Sequence, residues 1–248
     1  MKKERIDSIL LSRGFAESLL KARAMVMAGV VLVNEKRVEK PSDIFCSQAE
    51  IRIKGDSAEN KYVGRGGLKL EKALREFHIC PSECICLDIG SSTGGFTDCL
   101  LQNGAQKVVA VDSGTNQIVW KLRNDERVEV RENVNARYIK PEDFAEQFDL
   151  IVMDVSFISV KKILTAIVPL LKKSGSLIVL IKPQFEVGKN EVGKGGIVCE
   201  PEKHQRVVAE VKLFAAACGL KNFGVIDSPI LGAEGNKEFL AVYHHITR

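Results

Sequence analysis

The 248-residue sequence lacks any hydrophobic run long enough to cross a lipid bilayer. Its apolar stretches, such as Leu177–Ile181, are far shorter than the roughly 20 residues that a transmembrane helix requires. The N-terminal residues Met1–Arg5 lead into an amphipathic segment, without the uninterrupted apolar core of a secretory signal. We therefore expect a protein with no membrane partner that is located in the cytoplasm.

The sequence also lacks a disulfide framework. Its seven cysteines are an odd number without regular spacing, which is typical of a reducing compartment. Cys80, Cys84 and Cys86 lie close together, but no second ligand pair follows at the spacing of a zinc site. We interpret these three as small core residues around the first strand of a sheet, and we predict that no metal is required.

Net charge is low, and its distribution is more informative than its total of +4. Residues 1–77 contain 16 Lys and Arg against 11 Asp and Glu, whereas residues 78–248 contain 20 against 21. The basic excess is therefore confined to the N-terminal third. Such an excess favours docking of a polyanion there, although ordinary solvated faces would give the same count.

A glycine-rich turn between two apolar runs is the pattern around which the chain is organised. The run Ile85–Ile89 predicts a strand, and residues 90–95 (GSSTGG) predict a tight turn that leads into a helix. The next run, Val108–Val111, predicts a second strand that ends at Asp112. In a parallel sheet, the turn and this carboxylate meet beyond the strand ends, where the acid can accept both hydroxyls of a ribose.

The spacing of the glycines indicates which cofactor carries that ribose. A dinucleotide fingerprint has the form G-x-G-x-x-G, whereas Gly90 is followed by three other residues and then by Gly94 and Gly95. Ser92 is a poor substitute for the glycine that a pyrophosphate approaches, so an NAD-linked dehydrogenase is disfavoured. The pattern, preceded by Asp88, resembles the first motif of methyltransferases that use S-adenosylmethionine (SAM).

A second glycine-rich segment, residues 186–197 (EVGKNEVGKGGI), meets most of the pattern of a phosphate-binding loop. Position 195 is glycine, so the hydroxyl that would hold Mg²⁺ in such a loop is missing. Gly195 and Gly196 also cannot readily begin the helix that should follow. We therefore reject a phosphate-binding loop and predict a mobile basic loop beside the site.

Strands and helices alternate after residue 68, which predicts an α/β fold with a doubly wound, Rossmann-like sheet. Asp112, Asp154 and Lys182 all fall at the C-terminal ends of predicted strands, where such sheets bind ligands. Trp120, in a helix predicted over 118–123, is interpreted as a packing residue. The remaining helices are predicted over 68–77, 160–171 and 201–218, and the remaining strands over 128–130, 148–153, 175–181, 224–226 and 239–245.

Residues 4–28 predict two short helices, and strands are predicted over 30–34 and 50–53. The segment resembles the S4 RNA-binding domain, in a frame that includes Arg5-Ile-Asp7, Lys21-Ala-Arg23 and Lys40-Pro-Ser42. This resemblance implies a small α+β domain of residues 1–59, followed by a linker of 60–67 and a second domain of 68–248. The residues expected to contact RNA are Arg5, Arg13, Lys21, Arg23 and Arg65.

The whole chain resembles the TlyA (hemolysin A) family, in which an S4 domain precedes an FtsJ-like ribosomal RNA 2′-O-methyltransferase domain. The resemblance implies that SAM is the cofactor and that ribosomal RNA or ribosomal subunits are the partner. The motifs that carry it are Tyr62-Val-Gly-Arg65-Gly-Gly-Leu-Lys69, Leu87-Asp-Ile-Gly90-Ser-Ser-Thr-Gly94-Gly-Phe96, Trp120-Lys-Leu-Arg123, Asp154-Val-Ser-Phe157, Ile181-Lys182-Pro and Gly195-Gly196-Ile-Val.

The same resemblance implies roles for individual residues. The catalytic Lys-Asp-Lys-Glu tetrad of the family falls on Lys69, Asp154, Lys182 and Glu238. The residues implied for SAM binding are Asp88, Gly90, Ser91, Ser92, Gly94, Gly95, Phe96, Asp112, Ser113, Asn133 and Asp154.

Two lysines and two acids suit methyl transfer to a ribose hydroxyl. A sulfonium methyl is already activated, so an enzyme mainly has to align it with the acceptor. The 2′-hydroxyl must also lose its proton, and a lysine with the ordinary pKa of about 10.4 is protonated and cannot accept it. Burial or a second ammonium lowers the pKa of a lysine, and carboxylates orient it. Methylation of a base amine would need an Asn/Asp-Pro-Pro-aromatic loop, whereas Asp154 precedes Val-Ser-Phe.

Two other functions stay open at this point. One is a non-catalytic S4-type RNA-binding protein with a degenerate methyltransferase fold; the intact acid and lysine positions argue against it. The other is a haemolysin, which the family name suggests, but no stretch of this sequence could cross a bilayer.

Overall fold

The computed structural model divides the chain into two compact units, Met1–Lys61 and Tyr62–Arg248. The structure describes residues 3–33, 36–47, 49, 51–53 and 61–246. Much of the predicted linker belongs to the second unit, in which Tyr62 is buried and a helix begins at Gly66. The predicted domain limits otherwise stay a prediction, because residues 54–60 lie outside the described part of the chain.

The first unit combines two helices with short antiparallel strands. Strand β1 pairs with β4, and β2 lies between β3 and β5. The elements are β1 (Lys3–Arg5), α1 (Ile6–Ser12), α2 (Leu19–Met27), β2 (Val31–Val33), β3 (Lys36–Arg37), β4 (Ile44–Cys46) and β5 (Ile51–Ile53). Both predicted helices are present. Strands β1 and β4 were not predicted, because three-residue strands are too short to show a periodic pattern.

Apolar side chains from α1, α2 and β2 form the core of this unit. Ile6, Leu10 and Val26 are buried, and they pack with Val31. Helix α2 begins at a cap, because the Ser18 Oγ accepts the amide of Lys21 at 3.1 Å.

The second unit is built on one seven-stranded sheet in the order β11-β12-β10-β9-β6-β7-β8. All neighbouring pairs from β10 to β8 are parallel, whereas β12 is antiparallel to both β10 and β11. The elements are α3 (Gly66–Glu76), β6 (Ile85–Ile89), α4 (Gly95–Gln102), β7 (Lys107–Val111), α5 (Trp120–Arg123), β8 (Val128–Arg131), β9 (Phe148–Met153), α6 (Lys161–Ile167), β10 (Leu171–Ile181), α7 (Pro183–Glu186), α8 (Pro201–Ala217), β11 (Leu220–Asp227) and β12 (Phe239–His245).

The central strands are rich in Val, Ile and Leu, as expected for strands that are covered on both faces. Two apolar clusters lie in this unit, one containing Leu87 and Ile151, the other Leu180 and Leu240. Chain order reverses between β6 and β9, which creates the crevice in which doubly wound sheets bind ligands. Because β12 runs antiparallel, its first residues lie at the same edge as the carboxyl ends of the parallel strands.

The boundaries predicted before β10 are wrong, since the sequence predicts a helix that continues to Leu171 and a strand that begins at Gly175. The α-helix ends at Ile167, a short 3-10 turn follows over Val168–Leu170, and β10 begins at Leu171. Pro169 ends the helix because it has no amide hydrogen to donate. Leu171 pairs with Phe148, and the register then shifts before Ser176. The irregular start of the strand explains why its first residues show no strand periodicity.

The interpretation of Trp120, in α5, as a packing residue is wrong. The helix has only one turn, beginning at Trp120, and Leu122 supplies its buried side chain. Trp120 is 74% exposed. A one-turn helix can bury only one face, and the apolar periodicity of four residues does not determine which one.

The longest helix, α8, spans Pro201–Ala217. Within the residues that the structure describes, no helix has the length and apolar character needed to cross a membrane. The glycine-rich segment 186–197 contains two short 3-10 turns, Lys189–Glu191 and Lys194–Gly196.

Candidate active site

Polar residues at successive strand ends surround one cavity of about 450 Å³. Gly90 follows β6, Asp112 follows β7, and Asp154 follows β9. A smaller cavity of about 130 Å³ adjoins it, since Gly90, Ser92 and Asp154 line both. The other residues that line the smaller cavity are Gly64, Arg65, Gly66, Ser91, Thr93, Gly95 and Phe96.

The turn after β6 requires glycine at two positions. Gly90 has φ +84° and Gly94 has φ +99°, which favour glycine. A side chain at Gly90 would collide with the backbone carbonyl of Asp154, and one at Gly94 would collide with Leu122. The two glycines therefore let the turn lie directly against β9 and α5.

The carboxylate of Asp112 is held in a fixed position beside this turn. Its Oδ2 accepts the amide of Ser92 at 2.8 Å, and its Oδ1 accepts the amide of Gly114 at 2.7 Å. Each carboxylate oxygen has a second lone pair, so both can still accept a hydrogen bond from a ligand. Asp112 thus lines the main cavity as an oriented pair of acceptors.

Asp88 lies beneath the turn and is fully buried. The hydroxyl of Thr97 donates to its Oδ2 at 2.7 Å, while its Oδ1 has no hydrogen-bond partner among the described residues. Burial raises the pKa of Asp88 to about 7, and the nearby carboxylates of Asp154 and Asp112 add to that rise. Asp88 lines neither cavity, so it supports the turn from below.

The ends of β9 and β10 are joined by an ion pair. Lys182 Nζ lies 2.6 Å from Asp154 Oδ1 and donates to Ser156 Oγ at 2.8 Å. The side chain of Lys182 is only 10% exposed and that of Asp154 only 19%. The ammonium is thus largely shielded from water and lies against a residue that lines both cavities.

A second ion pair links α3 to the segment just before β12. Lys69 Nζ donates to Glu238 Oε2 at 2.6 Å, and both side chains are almost completely buried. Gly66, one turn before Lys69, is close to the first pair, because a side chain there would come within 3.8 Å of Asp154 Oδ2. The two lysine–carboxylate pairs therefore lie at the same edge of the sheet.

The loop after β9 contacts the residues after β10 at three successive points. Ser156 contacts Lys182, the rings of Phe157 and Phe185 are 5.2 Å apart, and Ser159 Oγ donates to Glu186 Oε2 at 2.6 Å. Glu186 also accepts the amide of Val160 at 2.7 Å. Burial raises the pKa of Glu186.

Phe157 is the most exposed large apolar residue of this loop, at 92%. Its φ of +64° is unfavourable for an aromatic residue, yet the ring lines the main cavity with Phe185 behind it. Strained, exposed residues of this kind concentrate at functional sites. Nothing in the sequence around Phe157 predicts this left-handed backbone conformation.

Comparison with known proteins identifies the family. The model of the FtsJ-like methyltransferase family matches residues 62–244, and that of the S4 domain matches residues 4–51. The YqxC protein of Bacillus subtilis is 48% identical over 98% of this chain and 86% of its own length. The Mycobacterium tuberculosis protein named 16S/23S rRNA (cytidine-2′-O)-methyltransferase TlyA is 41% identical over 96% of this chain and 88% of its own length. A solved structure from Streptococcus thermophilus has a TM-score of 0.76 and 45% identity, and covers 99% of this chain and 89% of that one.

The chain belongs to the hemolysin A/TlyA family of FtsJ-like methyltransferases. Its cofactor is therefore SAM, and the NAD-linked dehydrogenase is excluded. The observed site fits this cofactor. Asp112 would accept hydrogen bonds from the ribose hydroxyls, and Gly90, Ser92 and Asp154 line the two cavities in which the rest of the cofactor would lie.

Most residues that the sequence analysis assigns to SAM in this TlyA-family chain lie around the two cavities. Asn133 is an exception, because its side chain accepts the Thr115 hydroxyl at 2.7 Å, and it is Asn135 that lines the main cavity. Gly94, which packs against Leu122, and the fully buried Asp88 line neither cavity. Lining residues that the sequence analysis omits include Gln117, Asn135, Ser156 and Phe157.

The arginines predicted to bind RNA have additional structural partners in the S4 domain. Arg5 donates two hydrogen bonds to Asp7, at 3.0 and 2.7 Å, and Arg23 donates one at 3.0 Å. Asp7 is fully buried, and these guanidinium groups, Arg5 first, hold its pKa well below the usual range. Arg13 donates to the carbonyl of Ala49 at 2.7 Å, whereas Lys21 and Arg65 are exposed.

Proposed function

We propose that this protein transfers the methyl group of SAM to the 2′-oxygen of a ribose in ribosomal RNA. The observation that carries the proposal is the pair of shielded lysine–carboxylate contacts, Lys182–Asp154 and Lys69–Glu238, beside a cavity that fits SAM. Two relatives that are 40–41% identical are named cytidine-2′-O-methyltransferases, which supports the same acceptor atom.

Bound SAM supplies an electrophilic methyl group, and the chain has to hold the acceptor and remove its proton. We infer that Lys182 accepts the proton of the 2′-hydroxyl, because its Nζ lies next to Asp154 at the junction of the two cavities. Asp154 fixes the direction of the amine, and Ser156 accepts a hydrogen bond from it. An amine accepts a proton only in its neutral form, so a positive charge nearby favours the step.

The Lys69–Glu238 pair is proposed to orient the acceptor ribose and to contribute that positive charge. Helix α3 places Lys69 one turn beyond Gly66, which lies against Asp154. Glu238 is almost completely buried, and it keeps the ammonium of Lys69 in one position.

Phe157 is proposed to stack on the base of the acceptor nucleotide. Its ring is exposed at the mouth of the main cavity and is supported from behind by Phe185. Stacking on an aromatic ring is the usual way in which proteins hold an unpaired RNA base. The base would thereby be fixed while its ribose reaches Lys182.

We assign RNA affinity mainly to the S4 domain, in which Lys21 and the half-exposed guanidinium groups of Arg5 and Arg23 can contact phosphates. A measurement of methyl transfer distinguishes this proposal from the alternative of a non-catalytic RNA-binding protein. Ribosomal subunits from a strain that lacks this gene are incubated with the protein and with SAM labelled in the methyl group. Incorporation of label into ribosomal RNA is expected. Binding of the subunits without incorporation would contradict the proposal.

A further inference from the structure

The protein contains a single tryptophan, Trp120, and its side chain lies 74% exposed on the one-turn helix α5. Burying a tryptophan ring removes more apolar surface from water than burying almost any other side chain. The SAM site already described does not use this ring, since Trp120 lines neither cavity. An exposed tryptophan next to a functional site therefore calls for a partner.

Two exposed cationic residues lie near the helix that carries Trp120. Lys121 is the next residue, with a side chain that is 73% exposed and an ammonium 3.7 Å from Asp98 Oδ1. The other oxygen of Asp98 accepts the amide of Val63 at 2.9 Å, which brings Lys121 next to the segment that carries Arg65. Arg65 is exposed. The surface formed by Arg65, Trp120 and Lys121 is called the tryptophan surface below.

This surface adjoins the active site. The amide of Val119, just before Trp120, donates to the carbonyl of Thr93 at 3.2 Å. Thr93 and Arg65 both line the smaller cavity, together with Asp154. A strand of RNA that presents its ribose at Asp154 would therefore have a neighbouring nucleotide within reach of the tryptophan surface.

We propose that the tryptophan surface binds an unpaired nucleotide of the substrate RNA next to the acceptor, with its base stacked on Trp120 and its phosphates near Arg65 and Lys121. This inference rests on the proposed function and extends it to a second recognition site. An exposed aromatic ring on a positively charged surface is the combination that binds single-stranded nucleic acid. A protein partner would also suit an exposed tryptophan, but it would not explain the two exposed cationic residues nearby.

The single tryptophan makes the surface directly observable. Intrinsic fluorescence is recorded while an RNA fragment is titrated into the full-length protein, with S-adenosylhomocysteine present throughout so that the cofactor site does not change. Saturating RNA is expected to quench the emission of Trp120 and to protect it from acrylamide. Unchanged emission and accessibility, at a concentration where a labelled RNA is fully bound, would overturn the proposal.

Variants separate stacking from general affinity. Trp120→Ala is expected to weaken RNA binding roughly 5- to 150-fold, the range measured for removal of a single stacking aromatic. Trp120→Phe should retain most of the affinity, because it keeps an aromatic face. Leu213→Ala is the control, since Leu213 is equally exposed, at 75%, on α8. Affinity for S-adenosylhomocysteine should be unchanged in all three variants.

Two further results would distinguish a failure of the RNA assignment from a failure of the proposed function. If Trp120→Ala weakened binding to whole ribosomal subunits but not to protein-free RNA, the surface would contact a ribosomal protein and the RNA assignment would be wrong. If the wild-type protein bound RNA with quenching but transferred no methyl group, the proposed function would fail while the tryptophan surface would stand.

Discussion

Lys182 Nζ and Asp154 Oδ1 lie 2.6 Å apart, at the ends of two neighbouring parallel strands. Parallel strands bring their carboxyl ends to one edge, so residues 28 positions apart in the sequence meet without any special loop. Pro183 follows Lys182 directly and begins a short helix, which restricts the backbone that carries the amine. The sheet itself thus sets the geometry of the proposed base.

Replacement of Lys182 tests its role in proton removal. Lys182→Ala should lower the rate of methyl transfer by roughly 10²- to 10⁴-fold, which is the usual contribution of a general base. Lys182→Arg should be equally slow, since a guanidinium keeps the positive charge but cannot give up its proton. Calorimetry should show SAM affinity within a few fold of wild type. Lys212→Ala, which removes an exposed lysine on α8, is the control. Near-normal transfer by either Lys182 variant would assign proton removal to another group.

Asp112→Asn tests the ribose site. The change keeps the size of the side chain but removes one charge-assisted acceptor, so SAM should bind about 10- to 100-fold more weakly. Asparagine is preferred to alanine because its carbonyl oxygen keeps an acceptor for one of the two amides, of Ser92 and Gly114, that donate to the carboxylate. RNA affinity should not change. Glu126→Gln, at an exposed carboxylate, is the control, and an unaltered SAM affinity in Asp112→Asn would refute the assignment.

Asp88 should make stability depend on pH. Its folded-state pKa is raised from 3.8 to about 7, so the folded protein binds more protons than the unfolded chain between these values. Stability without cofactor should therefore fall as pH rises from about 4 to about 7. In Asp88→Asn this dependence should weaken, because an amide does not titrate. Melting temperatures across pH measure it, and identical pH profiles for variant and wild type would disprove this role.

Glu186 is predicted to position the loop that carries Asp154 and Phe157. Glu186→Ala removes the acceptor for Ser159 Oγ and Val160 N, so kcat should fall about tenfold or more while the KM for SAM changes little. Glu186→Gln, which keeps one acceptor, should be intermediate. Glu210→Gln is a close control, because Lys161 Nζ lies 3.9 Å from Glu186 Oε2 and 3.0 Å from Glu210 Oε2, whereas Glu210 lies at the surface. Equal kcat values for Glu186→Ala and Glu210→Gln would contradict the prediction.

The sequence predicts those features of the fold that depend on short segments. The strand before Gly90, the turn itself and the acid after β7 follow from local apolar runs and glycine spacing, and all are present. Strand ends also predict which side of the sheet carries Asp154 and Lys182.

Contacts between side chains distant in sequence could not be predicted from local patterns. Lys69 and Glu238 are 169 residues apart, and they meet because β12 is antiparallel to β10. Only the family resemblance places these two residues in one site. The hydrogen bonds that Ser159 and Val160 donate to Glu186, and the left-handed backbone of Phe157, depend on tertiary packing in the same way. The exposure of Trp120 was mispredicted because a one-turn helix has too few residues to reveal its buried face.

The position of the transferred methyl group tests the central claim most directly. RNA modified by the purified protein is hydrolysed with alkali and is also digested to nucleosides for fragmentation by mass spectrometry. A 2′-O-methyl group blocks the internal attack that cleaves RNA, so a gap in the alkaline ladder and a methyl group on the sugar fragment are expected. A continuous ladder, with the methyl group retained on the base, would contradict transfer to the ribose.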